Sequence, residues 1–442
     1  MSKLSSWGLP ANNNQLAVRP SWLPTDLEEL SFSTEDAPTS LLAYGNGRSY
    51  GDSCLNRQGS LIDCRSLSRF ISFDETTGQL SAECGVLFDD IIDQFLPKGW
   101  FLPVTPGTRF VTVGGAIAND IHGKNHHRNG TLGRHIKALK LLRSDGRHLN
   151  CSADENTELF NATIGGMGLT GLITSATIQM VPVQSANMDV LTRTFGSLKE
   201  FIAMSQEHDD EYEYSVGWLD CLSAKSGAFR GLLYFANHAP AQNDDSLKSF
   251  KLKPARIGVP ISLPGWTLNK HSVSLFNKWY FNTGKRKPIN STQALQPYFY
   301  PLDGIKNWNR IYGKSGFFQY QFTIPESRQD VFEKVLKILA EEASPSFLAV
   351  LKLFGNTPSP GMMSFPKPGI CLALDLSDQG TRTLKTLDRL DKEISDAKGS
   401  VYPAKDRRMG AEAFKSFYPQ YQQFSHYVDP TFSSDLWRRV TG

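Results

Sequence analysis

Residues Pro103 to His127 read PVTPGTRFVTVGGAIANDIHGKNHH, and this stretch, together with AYGNGRSYGD at Ala43 to Asp52, decides how the chain is interpreted. The two stretches contain four and three glycines. Because glycine has no side chain and readily adopts positive φ, such loops let backbone N–H groups approach a phosphate closely. Tight turns between strands would explain either stretch alone. Their combination favours a site for a cofactor that contains a diphosphate.

A third cluster, IGGMGLTGLI, has the GxGxxG spacing of a nicotinamide-binding Rossmann loop at Gly166, Gly168 and Gly171. That fingerprint must open a helix whose N-terminus holds the pyrophosphate. The residues that follow it, LITSATIQMVPV, are typical of a strand instead. No amphipathic helix follows AYGNGRSYGD either. We therefore expect a dinucleotide site that is not of the Rossmann type.

The composition is that of a globular protein, and 442 residues are too many for one ordinary core. The chain has 47 Lys and Arg against 44 Asp and Glu, and this net charge of +3 is far from the excess carried by nucleic-acid-binding proteins. We expect no nucleic-acid partner. Six cysteines are scattered singly, without a CxxC pair or metal-ligand spacing, which favours reduced thiols.

The start of the chain, MSKLSSWGLPANNNQ, lacks the apolar core and the cleavage site of a secretory signal. No stretch approaches the 18 uninterrupted apolar residues that a membrane-spanning helix needs. We expect a cytoplasmic protein, or one bound peripherally at the cytoplasmic membrane.

Short strand-like runs and helical patterns such as LFDDIIDQFLPKG interleave up to about residue 183, and glycine becomes less frequent after Pro182. A boundary near residue 185 and an α+β fold class follow from this interleaving. The second part contains three helical patterns, SLKEFIAMSQEHD, QDVFEKVLKILAEEA and TLKTLDRLDKEISDA. They alternate with four strand-like runs, EYSVGWLD, GFFQYQFTIP, FLAVLKLFG and ICLALDL.

The order of GNGRSYGD, PGTRFVTVGGAIANDIHGKNHH and LFNATIGGMGLTG resembles the FAD-binding domain of the vanillyl-alcohol-oxidase (p-cresol-methylhydroxylase, PCMH-type) flavoproteins. PGWTLNKHSVSLFNKWY, YPAKDRR and DPTFSSDLWRR are similar to one branch, the polyprenylphosphoryl-ribose 2′-oxidases. The resemblance covers about residues 40 to 440. It implies a two-domain PCMH-type fold with an FAD-binding domain (1–185), a substrate domain built on an antiparallel sheet flanked by helices (186–399), and a C-terminal return to the FAD-binding domain (400–442).

The same resemblance implies roles for individual residues. Tyr50 and His122 are expected near the flavin, and Lys405 is expected to face the flavin and the substrate. The residues expected to bind FAD are Gly45, Asn46, Gly47, Arg48, Ser49, Tyr50, Pro106, Gly107, Thr108, Thr112, Gly114, Gly115, Asn119, Ile121, His122, Tyr402 and Lys405. The residues expected to bind substrate are Gln319, Gln321, Lys352, Cys371, Ala373 and Trp218.

Oxidation of a secondary alcohol also needs a proton acceptor beside the cofactor, and Lys405, Tyr50 and His122 are the candidates in that order. Each has an ordinary alternative. Lys405 opens a charged run that is typical of a solvated loop, and for Tyr50 the alternative is packing beneath a strand. His122 and His126 have the spacing of a zinc helix, but no HExxH glutamate accompanies them and Gly123 is a poor helix former. We therefore expect no metal.

Two strands carry polar residues where apolar ones would be expected. Lys352 in AVLKLFG shares a strand face with Val350 and Phe354, which is costly unless the lysine is paired or functional. Gln319 and Gln321 in FFQYQF also share a face, where their amides could bind sugar hydroxyls or the flavin. An exposed polar face is the alternative for these two glutamines.

The chain departs from the resembled enzymes at two positions. They carry Asn-x-Cys beside the flavin, whereas GICLALDL places Ala373 at the cysteine position and Cys371 two residues earlier on the same face. This departure affects substrate fit rather than redox chemistry. Oxidases that tether FAD commonly have a histidine in the first glycine loop, where this chain has Arg48, so FAD is expected to be noncovalent.

The stretch from Leu263 to Pro288, LPGWTLNKHSVSLFNKWYFNTGKRKP, mixes aromatic and basic residues. That mixture suits an anionic, lipid-tailed substrate presented at a membrane surface, while the alternative is a core-packing helix followed by a solvated basic loop. The resemblance favours the first interpretation and hence contact with a membrane surface.

Three functions are consistent with these patterns. The first is FAD-dependent oxidation of a sugar hydroxyl, namely the 2-hydroxyl of a polyprenylphosphoryl pentose (ribose), to a keto sugar. A separate NAD(P)H-dependent short-chain reductase would then complete an epimerisation. The second is FAD-dependent oxidation of a soluble sugar, polyol or aldonolactone. The third is a sugar- or lipid-binding protein without catalysis.

Overall fold

The computed structural model describes residues 4–8, 15–22, 24, 27, 39–226, 229–241 and 246–442. Its strands are β1 (Leu16–Val18), β2 (Leu41–Tyr44), β3 (Ser60–Asp63), β4 (Phe70–Asp74), β5 (Gln79–Glu83), β6 (Trp100–Phe101), β7 (Ile136–Leu142), β8 (His148–Ser152), β9 (Leu172–Gln179), β10 (Val181–Pro182), β11 (Asn187–Phe195), β12 (Tyr214–Leu219), β13 (Gly231–His238), β14 (Ile257–Gly258), β15 (Asn290–Ala294), β16 (Ile305–Lys306), β17 (Phe317–Ile324), β18 (Ala349–Phe354), β19 (Gly369–Ser377) and β20 (Ser400–Val401).

Its α-helices are α1 (Phe88–Phe95), α2 (Val113–Ala118), α3 (His126–Asn129), α4 (Thr157–Thr163), α5 (Leu198–Glu207), α6 (Lys270–Lys285), α7 (Leu295–Phe299), α8 (Gln329–Glu342), α9 (Thr381–Asp396), α10 (Ala411–Phe417), α11 (Tyr421–Ser425) and α12 (Asp435–Thr441). Every helical pattern and strand-like run quoted above forms the predicted element, so the α+β prediction is confirmed.

The first half of the chain builds a parallel three-stranded sheet in the order β1-β3-β2 and an antiparallel five-stranded sheet in the order β4-β5-β9-β7-β8. Helix α1 buries Phe88, Ile91, Ile92 and Phe95, a spacing that places all four on one helical face. Strand β9 begins directly after Gly171, as its apolar and β-branched residues predict. No helix therefore follows the GxGxxG cluster, which confirms that it is not a Rossmann fingerprint.

The second half builds an antiparallel eight-stranded sheet in the order β15-β11-β13-β12-β18-β19-β17-β20. Helices α5, α8 and α9 pack on one face, where Phe318, Tyr320 and Phe322 of β17 join a continuous apolar core. Because side chains alternate along a strand, Gln319 and Gln321 point to the other face. That face is the one from which the candidate site is built.

The C-terminal segment returns to the first half of the chain. The Leu41 backbone N–H donates to the Thr431 carbonyl at 2.7 Å, and the Asp435 N–H donates to the Leu55 carbonyl at 2.8 Å. Just before this segment, β20 pairs with β17 and completes the eight-stranded sheet. The 3-10 turn Pro403–Lys405 follows immediately and is thereby fixed at the edge of the candidate site. None of the helices in the described ranges is long and apolar enough to cross a membrane.

Candidate active site

A cavity of about 1010 Å³ lies between the glycine-rich loops of the first half and the open face of the eight-stranded sheet. This volume is at the upper end for small-molecule sites, so the cavity has room for a dinucleotide and a second ligand. All of the residues expected to bind FAD border it, as do Gln319, Gln321, Lys352, Ala373 and Trp218. The structure thus brings together residues that are more than 350 positions apart in the sequence.

Cys371 is the exception among the predicted substrate residues. Cys371 is only 1% exposed, packs in an apolar cluster with Phe354 and Phe365, and does not border the cavity. Its thiol accepts from Gln321 Nε2 at 3.3 Å. Ala373 does border the cavity and is opposite Gln321 across the β17–β19 ladder. The methyl group of Ala373 leaves more space beside Gln321 than a larger side chain would.

The first glycine loop requires glycine for two different reasons. Gly47 has φ +59°, and a Cβ there would lie 2.2 Å from the Tyr44 hydroxyl. A Cβ on Gly51 would lie 1.6 Å from the carbonyl oxygen of Asp406, because the loop packs directly against the turn that carries Lys405. The Tyr50 N–H donates to the Ala404 carbonyl at 2.9 Å across the same contact. As a result, Lys405 Nζ lies 5.5 Å from the centroid of the Tyr50 ring.

The second glycine-rich stretch is tied to the first. Asn46 donates from its side chain to the Phe110 carbonyl at 2.9 Å, and Thr112 Oγ1 accepts from the Gly115 N–H at 3.2 Å at the start of α2. Gly107 borders the cavity, and beyond its chain neighbours no atom of the described residues lies within 4 Å of an added Cβ there, so this position faces open space. This arrangement leaves space beside backbone N–H groups, as a diphosphate requires.

Several buried polar atoms in this cavity have no hydrogen-bond partner within the described part of the chain. They are Arg48 Nε, Ser53 Oγ, Arg109 Nη1, His122 Nδ1, Tyr298 Oη, Gln319 Oε1 and Gln321 Oε1. Buried polar groups are nearly always hydrogen-bonded, so these atoms fit a bound polar group. The Arg48 guanidinium stacks 4.3 Å from the centroid of the Trp7 ring and 5.2 Å from that of Phe110. The residues present therefore fit an anionic dinucleotide such as FAD.

His122 is held in one orientation by Gln321, whose Nε2 lies 2.7 Å from His122 Nε2. Since the amide nitrogen is a donor, His122 Nε2 accepts and its proton is on Nδ1. Burial, followed by the positive charges of Lys352 and Lys405, holds the pKa of His122 well below its usual range. The imidazole is therefore neutral at neutral pH and can donate from Nδ1. Whether His122 acts on the flavin or the substrate stays a prediction.

Two lysines enter the same region from different elements. Burial, assisted by the charge of Lys352, lowers the pKa of Lys405 to about 7, and Asp375 opposes that shift. Burial also lowers the pKa of Lys352. Both side chains are enclosed by protein but open to the cavity. At neutral pH a substantial fraction of Lys405 is a neutral amine, which is the form that accepts a proton.

Lys124 is a third lysine in the cavity wall, and we did not predict it as a site residue. Its ammonium donates to the carbonyl of Tyr298 and lies 4.3 Å from the centroid of the Tyr298 ring. Burial lowers the pKa of Lys124 to about 7. The sequence gives no local signal for this role, because the residues that bury Lys124 are 174 positions further on.

Asp375 is a second residue that we missed as part of the site. It accepts from Gln319 Nε2 at 2.6 Å and from the Tyr312 hydroxyl at 3.1 Å, and this fixes the Gln319 amide toward the cavity. Burial raises the pKa of Asp375 to about 7, although both hydrogen bonds and Lys405 oppose the shift. A single carboxylate in the apolar strand ICLALDL was an available signal.

The charged run after Lys405 is buried, and its interpretation as a solvated loop is wrong. Asp406 accepts from the N–H groups of Arg408 and Met409 at 2.9 and 2.8 Å, and its side chain is 3% exposed. Arg439 of α12 bridges Asp406 to Asp52, with Arg439 Nη2 2.7 Å from Asp52 Oδ1 and Nη1 3.3 Å from Asp406 Oδ2. These pairs anchor both sides of the contact between Tyr50 and Lys405.

The cavity continues from Trp218 toward α6. Trp218 Nε1 donates to the Phe347 carbonyl at 3.1 Å, and its ring lies 4.8 Å from that of Tyr280. Tyr280 and Lys287 also border the cavity. Helix α6 buries only Val273, Asn277 and Gly284. The alternative of a core-packing helix therefore applies to one face of α6, which contacts β11 and β13, while the rest of the helix is largely exposed.

Several known proteins are similar to this chain, one of them over nearly its whole length and others over part of it. Residues 23–152 match the FAD binding domain family. The chain is 35% identical to the decaprenylphosphoryl-β-D-ribose oxidase of Mycolicibacterium smegmatis, in an alignment that spans 99% of this chain and 97% of that protein. An uncharacterized protein of Streptomyces coelicolor is 32% identical over 78% of this chain and 97% of its own length. Mouse L-gulonolactone oxidase is 31% identical over 38% of either chain.

Proposed function

Because this chain belongs to the FAD-dependent oxidoreductase family of decaprenylphosphoryl-β-D-ribose oxidase, we propose that it oxidises the 2-hydroxyl of a polyprenylphosphoryl pentose, ribose, to the keto sugar. The coarser activity, FAD-dependent oxidation of a CH–OH group, is that of the family. The substrate, the bond that is oxidised and the roles of individual residues belong to the proposal.

The observation that carries the proposal is the charge of the cavity. In the described part of the chain, seven basic side chains border it: Arg48, Arg109, Lys124, Lys287, Lys306, Lys352 and Lys405. The pKa values of Lys124 and Lys405 are about 7, so each of these two carries only part of a positive charge at neutral pH. Only Asp89 and Asp303 oppose them, and both pair with Arg109. An excess of positive charge in an enclosed site favours anions. The diphosphate of the cofactor accounts for part of this excess, and the phosphate of the substrate accounts for the rest.

FAD supplies the hydride acceptor when it is bound. Arg48 and the two glycine-rich stretches would hold its diphosphate, and we expect the attachment to be noncovalent because position 48 offers no imidazole. Neutral Lys405 takes the proton of the sugar hydroxyl. Gln319, fixed by Asp375, and Gln321, fixed by His122, orient the sugar. Lys352 keeps Lys405 deprotonated through its charge and contacts the substrate anion.

The test is anaerobic reduction of the bound flavin, followed by its loss of visible absorbance. A polyprenylphosphoryl pentose is expected to reduce the flavin far faster than free ribose, free arabinose, a polyol or an aldonolactone. Equal rates with a free sugar or a lactone would favour the soluble-substrate alternative, to which the L-gulonolactone oxidase likeness points. No reduction by any alcohol would favour a binding protein without catalysis.

When the purified protein acts alone, one keto sugar is expected for each FAD reduced, because the hydride passes to FAD and the new carbonyl is left unreduced. Further turnover requires an electron acceptor that reoxidises the flavin. A separate NAD(P)H-dependent short-chain reductase would consume it. Incubation of the product with such a reductase and labelled NADPH tests this step. The epimer should carry the label at carbon 2, and recovery of unchanged keto sugar would argue against the epimerisation.

A further inference from the structure

Charge is distributed very unevenly along this chain. Residues 246–302 contain nine Lys and Arg residues and no Asp or Glu, whereas the whole chain carries +3. The remaining residues hold 38 Lys and Arg against 44 Asp and Glu, a net charge of −6. The segment 246–302 is therefore a concentrated positive region on an otherwise acidic protein.

The same segment exposes large apolar side chains. Trp266 is 75% exposed, Leu275 72% and Trp279 59%. Ile257 of β14 and Ile261, which both precede α6 in the chain, are 66% and 68% exposed. We call these five residues the α6 surface. Leu275 and Trp279 are four positions apart on α6 and therefore share one helical face, and exposed apolar patches on soluble monomers are commonly functional.

Helix α6 also borders the active-site cavity, through Tyr280. The Tyr280 ring packs against that of Trp218 at a centroid distance of 4.8 Å and an interplanar angle of 54°, and both rings border the cavity. Lys287, just after the helix, borders it too. A molecule that leaves the surface beside α6 therefore meets an aromatic wall and a cation before it reaches Lys352 and Lys405.

We propose that the α6 surface docks on an anionic lipid bilayer and that substrate enters the cavity from the bilayer past Tyr280 and Lys287. This inference rests on the proposed function for the identity of the substrate. Tryptophan and isoleucine insert at the acyl boundary while lysines reach the headgroups. A second copy of this chain does not fit as the occupant, because two surfaces of the same strong positive charge repel each other.

The test is sedimentation of FAD-loaded protein with vesicles of pure phosphatidylcholine or of equal parts phosphatidylglycerol and phosphatidylcholine. Binding to the anionic vesicles is expected to be at least tenfold stronger and to fall on raising NaCl from 0.1 to 1 M, where the screening length drops from about 10 to about 3 Å. Lys278→Gln with Lys285→Gln should weaken it about 25-fold, since each surface lysine contributes about fivefold. Trp279→Ser should weaken it as well.

Matched controls lie on helix α9 and near the N-terminus. Lys385→Gln with Lys392→Gln removes two exposed charges from another 16-residue helix, and Trp22→Ser removes a tryptophan that is 67% exposed. The lysine pair on α9 should weaken vesicle binding only through its change in net charge, and Trp22→Ser should leave vesicle binding unchanged. Equal weakening by the two lysine pairs, or equal binding to both kinds of vesicle, would overturn the inference. So would binding to an acidic protein with no binding to anionic vesicles.

Failure of the inference is distinguishable from failure of the proposed function. Detergent-solubilised polyprenylphosphoryl pentose should reduce the flavin of Trp279→Ser at the wild-type rate, because that residue is outside the cavity wall. With substrate embedded in anionic vesicles, the same variant should be at least tenfold slower than wild type. Unchanged reduction in vesicles would refute docking, whereas no reduction in detergent by the wild type would refute the proposed substrate.

Discussion

Replacing Lys405 by methionine is expected to abolish flavin reduction while stabilising the protein. Lys405 is enclosed beside Lys352, and its pKa falls from 10.5 to about 7. The unfolded chain therefore binds more protons than the folded chain between these two values, so stability rises with pH across this window. The burial of Lys405 lowers the free energy of unfolding at pH 7 by about 4 kcal/mol, since each unit between pH 7 and the unfolded pKa of 10.5 contributes about 1.4 kcal/mol. Methionine keeps the length and removes the charge, so this cost disappears.

The same substitution removes the proposed proton acceptor, which typically slows a reaction by 10²- to 10⁴-fold. The assay combines urea unfolding at pH 7 with anaerobic stopped-flow reduction of bound flavin between pH 5.5 and 9. In the wild type the reduction rate should rise with pH through about 7, as Lys405 loses its proton, and this rise should be absent from Lys405→Met. Lys352→Met is the control, because loss of the neighbouring charge raises the pKa of Lys405 and moves the rise to higher pH.

Two results would refute this reasoning. Flavin reduction by Lys405→Met within threefold of the wild-type rate would mean that another group takes the proton. An unchanged pH profile in Lys352→Met would mean that the two lysines do not interact as their positions indicate. A less stable Lys405→Met would in addition contradict the cost of its burial.

Three further predictions concern the cofactor and the contacts behind it. Acid denaturation should release all flavin as free FAD into the supernatant, and flavin fluorescence that stays on the protein band of a denaturing gel would contradict noncovalent binding. Gly51→Ala should lose FAD, because the new Cβ would meet the Asp406 carbonyl at 1.6 Å. Gly410→Ala should keep FAD, because no atom of the described residues lies within 4 Å of the Cβ position there. The ratio of flavin to protein absorbance measures both variants. Arg439→Ala should lower the free energy of unfolding by about 3 kcal/mol, since it leaves Asp52 buried without its partner, while Asp406 keeps the N–H groups of Arg408 and Met409. Arg439→Lys should recover only part of that loss in a urea titration.

The parts of the site that could be predicted from the sequence are those with a local cause. Gly47 needs a backbone conformation that only glycine adopts easily, and Lys352 is a charge in an otherwise apolar strand. Both features are visible within a few residues. The order of strands and helices was predictable for the same reason, because hydrophobic periodicity is also local.

The residues that escaped prediction owe their roles to distant partners. Lys124 is buried by Tyr298 and Phe299, and Asp406 by Arg439, so neither environment can be read from the neighbouring sequence. Cys371 lies on the predicted strand face, yet it is buried in an apolar cluster with Phe354 and Phe365 and does not border the cavity. A shared face therefore did not ensure access to the cavity, because strand alternation gives the direction of a side chain but not what lies in front of it.

The ion pair between Arg439 and Asp52 joins residues that are 387 positions apart. Contacts of such separation form late in folding, since the chain between them must first become compact. Because Asp52 ends the first glycine-rich loop, we expect this loop to be among the last parts of the molecule to take its final shape. A ligand that binds only the finished loop shifts the folding equilibrium by about 2.7 kcal/mol when its concentration is 100 times its Kd. When flavin is scarce in the cell, a larger fraction of the chains would have this loop unfolded. Proteolysis of those chains would lower the amount of the enzyme before its catalytic rate changed.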